Sequence, residues 1–292
     1  MIRLIQRLLK RRSDVAVAVG HARQTQTVLV TGAAGQVGTA VRPMLRAAFP
    51  RVVLTDRVDV SDLAPNESFF AADFEDPASF ASRLRGIDAI VHLAALSLDA
   101  PLDRLLAVNV VAVNTLLNLA IAHGVQRVML ASSMHALGLY RRNETILPTS
   151  QPKADSTYAA SKVVMEQVGA MYAASGALHV TSIRIGCLKN RREDAEPGGW
   201  IGPTDLAALI VLALTHSKTS GVTMNAVAKH SGDDCGQRWL EKNFGFRFTE
   251  DAVAYEKSLR SLHYWYPKDE IAREFRGGEF ASRTLGQLVR VP

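Results

Sequence analysis

The sequence feature that most constrains the fold is a set of glycines spaced three residues apart: Gly32, Gly35 and Gly38. They directly follow the apolar run over residues 27–31, which predicts a strand buried on both faces, and they open an amphipathic segment over residues 36–48. Glycine permits a tight turn and a close backbone approach, and the amide groups at a helix N-terminus attract a pyrophosphate. The pattern therefore predicts a dinucleotide-binding strand–turn–helix unit.

The same alternation continues along the chain. Short apolar runs alternate with longer amphipathic segments, which is typical of βαβ units and a parallel sheet. Strands are predicted over residues 27–31, 51–56, 68–72, 87–93, 126–132 and 179–184. Helices are predicted over residues 36–48, 77–84, 102–123 and 157–175. We expect an α/β fold: a Rossmann-type, doubly wound parallel sheet with a small C-terminal substrate cap.

Three parts are expected from this organisation. Residues 1–26 form a basic N-terminal extension, and residues 27–186 form the dinucleotide-binding Rossmann domain. Residues 187–292 form a small, discontinuous substrate-binding cap packed on the sheet. Within the cap we predict elements at the following positions: a helix over 204–216, a strand over 222–226 and a helix over 233–244.

The formal net charge of +6 does not indicate a nucleic-acid partner, because it is concentrated at one end of the chain. Residues 1–26 carry a net +5, so the remaining 266 residues carry only +1. Three interpretations of the extension stay open: a segment that packs on the body or a partner subunit, a contact with an anionic membrane surface, and an Arg-rich targeting peptide.

Other bulk features exclude several classes of protein. The longest apolar run, residues 206–214, is far shorter than the roughly 20 residues that span a bilayer, so no membrane span is expected. Two cysteines do not form a disulfide framework, which favours a reducing compartment, and we expect a cytoplasmic protein. No cluster of Cys and His has the spacing of metal ligands, so no metal is expected.

The residues that follow the second and third strands indicate which dinucleotide binds. Asp56 ends the second strand, where a carboxylate accepts hydrogen bonds from a ribose 2′-hydroxyl group and repels a 2′-phosphate. The neighbouring Arg57 favours the phosphate, but the carboxylate is given more weight, so NAD is expected. Asp73 and Phe74 are candidates to bracket the adenine, the alternative being a capping aspartate and a core phenylalanine.

The segment Tyr158-Ala-Ala-Ser-Lys162 indicates the chemistry. A Tyr and a Lys four residues apart share one face of a helix. Substantial ionisation of a tyrosine near pH 7 requires its pKa to fall by roughly 3 units, about 4 kcal/mol. The Lys charge and the positive ring of an oxidised nicotinamide supply such a shift in a partly desolvated site. Together with the glycine pattern, this segment predicts an oxidoreductase.

The order of these motifs resembles the extended, epimerase-like branch of the short-chain dehydrogenase/reductase superfamily. The matching residues are Thr31-Gly-Ala-Ala-Gly-Gln-Val-Gly38, Asp73, His92-Leu-Ala-Ala95, Asn109, Ser132-Ser133 and Tyr158-Ala-Ala-Ser-Lys162. The resemblance implies that Tyr158 is the acid/base, that Lys162 binds the nicotinamide ribose and that Ser133 orients the reacting oxygen. The cofactor residues that it implies are Gly32, Gly35, Gln36, Val37, Gly38, Asp56, Asp73, Phe74, Leu93, Ala94, Ala95, Asn109, Tyr158, Lys162 and Ile185. For Asn109, helix packing is the alternative.

Within that branch the chain resembles the uronate dehydrogenases, which oxidise a hexuronic acid at C1 to a lactone with NAD. The residues that carry the likeness are Ser132-Ser-Met-His-Ala-Leu-Gly138-Leu-Tyr140, Leu96-Ser97, Arg184-Ile-Gly186 and Glu274-Phe-Arg-Gly-Gly-Glu-Phe280. The substrate residues that this likeness implies are Ser97, Ser133, Met134, His135 and Cys187. Arg191 or Arg192 is a candidate for the carboxylate of the substrate, because a guanidinium binds a carboxylate bidentately.

Two departures from this family leave the substrate open. Met134 stands where the family has an Asn, and Cys187 stands near an expected Ser, so a smaller or less polar sugar is an alternative to a uronate. A sugar-nucleotide epimerase or dehydratase with the same triad is a second alternative, and a non-catalytic dinucleotide sensor is a third. The family also implies a homodimer through the helices over 102–123 and 157–175. The apolar positions named for that interface are Val110, Val113, Leu116, Leu117, Val163, Val164 and Met171.

Overall fold

The computed structural model describes residues 25–97, 100–141, 144–189, 199–228 and 237–249. Four features of the sequence analysis lie outside these ranges: the basic extension up to residue 24, the loop with Arg191 and Arg192, the start of the helix predicted over 233–244, and the segment 274–280.

Nine strands occur in the described part of the chain. They are β1 (Thr27–Thr31), β2 (Arg51–Asp56), β3 (Glu67–Ala71), β4 (Ala89–His92), β5 (Arg127–Ser133), β6 (His179–Ile185), β7 (Cys187–Leu188), β8 (Trp200–Ile201) and β9 (Thr223–Ala226). Seven of them pair in parallel as one sheet, in the order β3-β2-β1-β4-β5-β6-β9. This order confirms the predicted Rossmann-type sheet.

Five helices connect and cover these strands within the same ranges. They are α1 (Gln36–Ala48), α2 (Leu102–Ala122), α3 (Thr157–Ala174), α4 (Pro203–Thr215) and α5 (Gln237–Phe244). The helix predicted over 77–84 is instead a pair of 3₁₀ turns, Pro77–Ser79 and Ala81–Leu84. Asp76 caps the first turn by accepting the amide of Ala78, and Phe80 separates the two with non-helical backbone angles.

The sheet extends beyond the domain boundary placed at residue 186. Strand β9 pairs in parallel with β6, from Ser182 opposite Thr223 to Ile185 opposite Ala226. This strand was predicted from the sequence, but as part of the cap. Its residues Met224 and Ala226 are buried in the same core as the strands before it, so this part of the cap completes the Rossmann sheet.

Each face of the sheet has its own apolar core, because successive strand residues point to opposite faces. One core joins the sheet to α1 and α4, with strand residues that include Val28, Val30, Val52, Met129 and Ile183. The other joins it to α2, α3 and the 3₁₀ turns, with strand residues that include Leu29, Ile90, Val128, Leu130 and Val180. Two-sided burial explains why these strands are continuous apolar runs.

Helix α2 contains a π-helical turn, Ala107–Val111, which carries Asn109 on its inner side. It is the one helix among the described residues that is long and apolar enough to cross a membrane, with a mean hydropathy of 2.0. Core helices meet the same criterion, and α2 places a row of side chains in the second core: Val113, Leu116, Leu117 and Ala120. In this structure α2 is a helix of the core.

The burial of one side of α2 removes three residues from the apolar set that the sequence analysis named for a dimer interface. Val113, Leu116 and Leu117 are buried in the core and take no part in a surface. The apolar side chains that α2 and α3 do expose are Leu106, Val111, Ile121, Val164 and Met171. Tyr172 joins the two helices, because its hydroxyl oxygen lies within hydrogen-bond distance of both Asn114 and Asn118, at 2.9 and 2.8 Å.

Candidate functional site

The candidate residues converge at the carboxyl edge of the sheet. Strands β1 and β4 are neighbours in the sheet, although β2 and β3 lie between them in the chain. The chain therefore leaves β1 toward one side of the sheet and leaves β4 toward the other, which opens a crevice between their carboxyl ends. In doubly wound folds this crevice is where ligands bind, and the glycine turn follows β1 at this position.

The glycine turn has room for a ligand and almost none for side chains. Gly32 has φ of +67°, and a Cβ atom there would lie 2.6 Å from the backbone nitrogen of Ala94. A Cβ on Gly38 would lie 2.5 Å from the Gly32 carbonyl oxygen. Gly35 is exposed and begins α1, and no side chain caps the helix there. The uncapped amide groups and the narrow turn fit the pyrophosphate of NAD.

The loop after β4 is fixed against this turn by Thr31. The Thr31 hydroxyl oxygen accepts the amides of Leu93 and Ala94, both at 3.2 Å, and lies 2.8 Å from Nδ1 of His92. Burial and the charge of Lys162 lower the pKa of His92 to about 3, so the ring is neutral. These contacts place the predicted cofactor residues Leu93, Ala94 and exposed Ala95 beside the glycine turn.

Asn109 supports that loop from behind and is fully buried. Its amide group accepts from the Leu96 nitrogen at 2.9 Å, and it donates to the Leu96 carbonyl and the Ser161 hydroxyl at 3.1 and 3.0 Å. Ser161 in turn donates to the Tyr158 carbonyl at 2.7 Å. The structure thus favours the packing interpretation of Asn109: it joins α2, the loop and α3, and its amide is used within the protein.

Asp56 lies at the end of β2 with its carboxylate oriented by backbone amides. One oxygen accepts the amide of Ala34 in the glycine turn at 3.0 Å, and the other accepts the amide of Val58 at 3.1 Å. The carboxylate is therefore tied to the turn that would hold the pyrophosphate. It lies at the strand end where a carboxylate that binds the ribose of NAD is expected. Arg57 is exposed beside it.

Of the two residues proposed to bracket the adenine, Phe74 belongs to the core. Its ring is 4.6 Å from that of Phe80 and 5.6 Å from that of His92, and it is only 7% exposed. One carboxylate oxygen of Asp73 accepts the amide of Glu75 at 3.0 Å, which is the capping alternative. The structure thus favours the alternative of a capping aspartate and a core phenylalanine, because the ring packs in the second apolar core.

Three further cofactor candidates line or support the crevice. Gln36 is exposed at the start of α1, and its amide nitrogen donates to the Leu188 carbonyl at 3.0 Å. Val37 packs on the first core, and Ile185 is buried at the carboxyl end of β6. The side chains of Val37 and Ile185 therefore serve packing.

Ser133, Tyr158 and Lys162 meet at the same edge of the sheet. Ser133 ends β5, and its hydroxyl group lies close enough to the Tyr158 phenol to lower the pKa of Tyr158. Lys162 lies one turn along α3 with its Nζ 5.8 Å from the centre of the Tyr158 ring. That ammonium donates to the Ala131 carbonyl at 2.9 Å and is almost completely buried. The end of β5 and the first turns of α3 thus bring the three predicted catalytic residues together.

The ionisation of Tyr158 was attributed from the sequence to Lys162 and an oxidised nicotinamide together, and the structure describes this group without the nicotinamide. Burial raises the pKa of Tyr158 above its ordinary value, and the hydrogen bond to Ser133 offsets only part of that rise. Burial also lowers the pKa of Lys162 to about 8, against the attraction of Glu166. The protein alone therefore holds a neutral phenol, and a further positive charge is needed to ionise it.

A buried ion pair behind Lys162 escaped the sequence analysis. Arg184 on β6 donates to both carboxylate oxygens of Glu166 on α3, at 2.9 and 2.7 Å, and Ser132 on β5 donates to one of them. The exposed fractions of the two charged side chains are 3% and 2%. The available signal was the spacing: Glu166 follows Lys162 by four residues, and on the helix it continues the face that carries Tyr158.

His135 is also held by a residue that the sequence analysis did not single out. Its Nδ1 lies 2.7 Å from a carboxylate oxygen of Asp155, and its ring meets the Tyr158 ring edge to face, with centres 6.4 Å apart. The predicted substrate residue His135 is therefore next to the phenol of Tyr158.

The other predicted substrate residues differ in how far they are exposed to solvent. Met134 is 2% exposed and packs among Leu137, Ile146 and Val227. Cys187 is half-buried in β7 against Trp200 and Ala228. Ser97 is exposed at the end of the loop that Asn109 fixes. The described residues contain no group of three or more His, Cys, Asp or Glu that could hold a metal ion.

The fold and the glycine turn define a dinucleotide-binding protein of the Rossmann type. The chain belongs to the NAD dependent epimerase/dehydratase family, whose sequence model matches residues 28–195. The predicted relation to the extended short-chain dehydrogenases is thereby confirmed.

Individual relatives agree with this assignment. The uronate dehydrogenase of Pseudomonas syringae pv. tomato is 33% identical over 284 residues, which cover 91% of this chain and 98% of that protein. A mutant uronate dehydrogenase from Agrobacterium tumefaciens, solved in complex with NAD, has a TM-score of 0.72 at 25% identity, over 81% of this chain and 89% of the other. The glucuronic acid dehydrogenase of Chromohalobacter salexigens has a TM-score of 0.74 at 25% identity, over 82% and 90% of the two chains. The predictions of NAD as cofactor and of an NAD-dependent dehydrogenase are confirmed.

The raised pKa of Tyr158 gives a prediction about the protein without cofactor. A raised pKa keeps the phenol protonated to higher pH, so Tyr158 should titrate above about 10, the ordinary value for tyrosine. Saturating NAD should lower this pKa, since the oxidised nicotinamide adds a positive charge. The measurement is the phenolate absorbance of wild type minus that of Tyr158→Phe over a pH series. A midpoint below 9 without NAD would contradict the burial argument.

Proposed function

We propose that this protein oxidises C1 of a hexuronic acid to the lactone, with NAD as the hydride acceptor and Ser133, Tyr158 and Lys162 as the reactive group. The observation that carries the proposal is the placement of Tyr158 between the ammonium of Lys162, 5.8 Å from its ring centre, and Ser133, at the same edge of the sheet as the glycine turn. A half-buried phenol with polar neighbours at a cofactor crevice is suited to accept a proton from a substrate hydroxyl group.

Each side chain has a defined task in this reaction. NAD, when bound, supplies the hydride acceptor and a positive charge that favours the ionised form of the tyrosine. Tyr158 takes the proton of the C1 hydroxyl group as the hydrogen on C1 leaves as hydride. Ser133 holds the same oxygen in place. Lys162 adds a second positive charge within 5.8 Å of the Tyr158 ring and binds the nicotinamide ribose.

Asp56 supports a preference for NAD over NADP. Its carboxylate is held by two backbone amides at the end of β2, so it cannot turn away from a ligand without losing both bonds. A fixed negative charge at this position accepts a ribose 2′-hydroxyl group and repels a 2′-phosphate.

Two of the predicted substrate residues have polar groups that a sugar could reach. Ser97 is exposed, and His135 is half-buried beside Tyr158, so both suit the hydroxyl groups of a sugar. Met134 is withdrawn into an apolar cluster, so its replacement of an amide leaves one polar partner fewer for the sugar. Neutral aldoses are therefore the second candidate substrates, after galacturonate and glucuronate.

The formation of NADH from a panel of free sugars tests this function. Galacturonate or glucuronate should give the highest kcat/KM, followed by neutral aldoses, with UDP-sugars inactive. Tyr158→Phe should lower turnover at least a hundredfold with NAD affinity within about threefold, because general acid–base catalysis contributes typically 10²–10⁴-fold. Conversion of a UDP-sugar without NADH from any free sugar would replace the proposal with the epimerase alternative.

We also propose that the protein is a cytoplasmic homodimer, with α2 and α3 of each copy at the interface. The cytoplasmic part rests on the few cysteines. The dimer rests on exposed apolar side chains carried by two adjacent helices, of which Val111 and Met171 are 61% and 58% exposed. A helix with apolar residues outside its core-facing side is usually buried by a partner.

The mass in solution tests the dimer. Wild type at micromolar concentration should have twice the chain mass of 31.7 kDa by light scattering. Met171→Glu should shift it toward the single chain, because the interface would have to bury a charge. Val58→Glu, at a 63% exposed position after β2, is the matched control and should leave the dimer intact. A monomeric wild type would contradict the assignment.

A further inference from the structure

Beside the reactive tyrosine lies a pair whose geometry the proposed reaction does not yet use, His135 and Asp155. The pair connects the two segments that carry the reactive residues: His135 comes two residues after Ser133, and Asp155 comes three residues before Tyr158. The backbone repeats the connection, because the Asp155 amide donates to the His135 carbonyl at 3.3 Å and the Lys153 amide donates to the Ala136 carbonyl at 2.9 Å.

The carboxylate of Asp155 is buried and held on both oxygens. Its side chain is 3% exposed, against 26% for His135. One oxygen lies 2.7 Å from His135 Nδ1, and the other accepts the Ser156 hydroxyl group at 3.0 Å. Ser156 in turn caps α3 by accepting the Ala159 amide at 3.1 Å. The carboxylate is therefore fixed to the helix that carries Tyr158.

Gly138 provides the space that this carboxylate occupies. A Cβ atom at Gly138 would lie 1.9 Å from Oδ2 of Asp155, the oxygen that bonds to His135. The Gly138 backbone has φ of −63°, so glycine is not needed there for its conformational freedom. Its function is to leave room for the Asp155 side chain.

The bond to Asp155 determines the tautomer of His135. A carboxylate only accepts hydrogen bonds, so Nδ1 must carry the proton and donate it. In the neutral form of the His135 ring, Nε2 is then the acceptor. The edge-to-face contact with Tyr158 keeps this ring beside the phenol, with the two ring centres 6.4 Å apart.

We propose that Asp155 is a positioning residue for the substrate: it holds His135 in the Nδ1–H form, so that Nε2 accepts a hydroxyl group one or two carbons from the reacting carbon. Gly138 is part of the same device, because it gives the carboxylate its place. The inference rests on the proposed function, since it takes a sugar as the substrate. The pair of Asp155 and His135 selects a substrate with a hydroxyl group at a defined position. The pair adds no charge to the reacting carbon.

Kinetics with substrate analogues form the first part of the test. Asp155→Asn should raise KM about tenfold with kcat within threefold, because a hydrogen bond made equally before and during the reaction is lost. Gly138→Ala should act in the same direction while all titratable groups remain. With either the 2-deoxy or the 3-deoxy sugar, the effect of Asp155→Asn should fall below twofold. Asp62→Asn, which removes an exposed carboxylate paired with Arg42, is the matched control.

Nitrogen NMR of the histidine rings forms the second part and needs no substrate. The signals of His135, assigned by comparison with His135→Gln among the eight histidines of the chain, should show the Nδ1–H form in wild type and in Asp62→Asn. Asp155→Asn should shift that ring toward the Nε2–H form. A wild-type Nε2–H ring, or a ring unchanged in Asp155→Asn, would overturn the proposal.

The two parts separate the possible failures. If no free sugar is oxidised, the proposed function fails, while the NMR result still decides whether Asp155 sets the tautomer. If sugars are oxidised but Asp155→Asn lowers kcat equally for the parent and both deoxy sugars, Asp155 acts on the reaction centre or the fold, and the positioning role is wrong.

Discussion

The site depends on one buried ion pair, Glu166 with Arg184. The carboxylate on α3 meets the guanidinium on β6 through two parallel hydrogen bonds and also accepts the Ser132 hydroxyl group on β5. Breaking a buried pair by removing one partner costs about 3–5 kcal/mol, because the remaining charge is left without compensation. An exposed pair such as Arg104 with Glu75 contributes far less, because water screens its charges. The buried ion pair thus holds α3 against β5 and β6.

This ion pair has a direct consequence for the chemistry. Lys162 and Tyr158 lie one and two turns before Glu166 on the same side of α3, so fixing Glu166 directs them to the end of β5. The negative charge of Glu166 also opposes the desolvation that lowers the pKa of Lys162 to about 8. Glu166 therefore does two things: it pairs with Arg184 to hold α3, and it favours the charged form of Lys162.

The fold was predictable from the sequence to the extent that it depends on local patterns. Two-sided burial gives continuous apolar runs, so most strands lie within two residues of their predicted bounds, and the glycine spacing located the cofactor turn. Strand β9 was recognised as a strand, but its place in the sheet depends on a pairing with β6 that no local pattern encodes.

The candidate site was predictable only where chemistry requires a particular residue type. Ser133, Tyr158 and Lys162 do come together as predicted. Phe74 and Met134 pack in apolar clusters, which the sequence could not show, because an aromatic or apolar side chain next to a site has the same sequence signal whether it faces the ligand or the core. Asp155 was missed because its significance depends on His135, which is 20 residues away in the chain and 2.7 Å away in space.

The transfer of hydrogen from C1 tests the central claim most directly, that the Tyr158 site removes hydride from a free sugar acid. Galacturonate and glucuronate carrying deuterium at C1 would be incubated with the protein and NAD, and the products analysed by NMR. We predict that the deuterium appears on C4 of the nicotinamide of NADH, with the sugar converted to its lactone, and that Tyr158→Phe prevents this transfer. Retention of the deuterium in both sugars, together with inversion of a carbinol centre in a sugar nucleotide, would contradict the account.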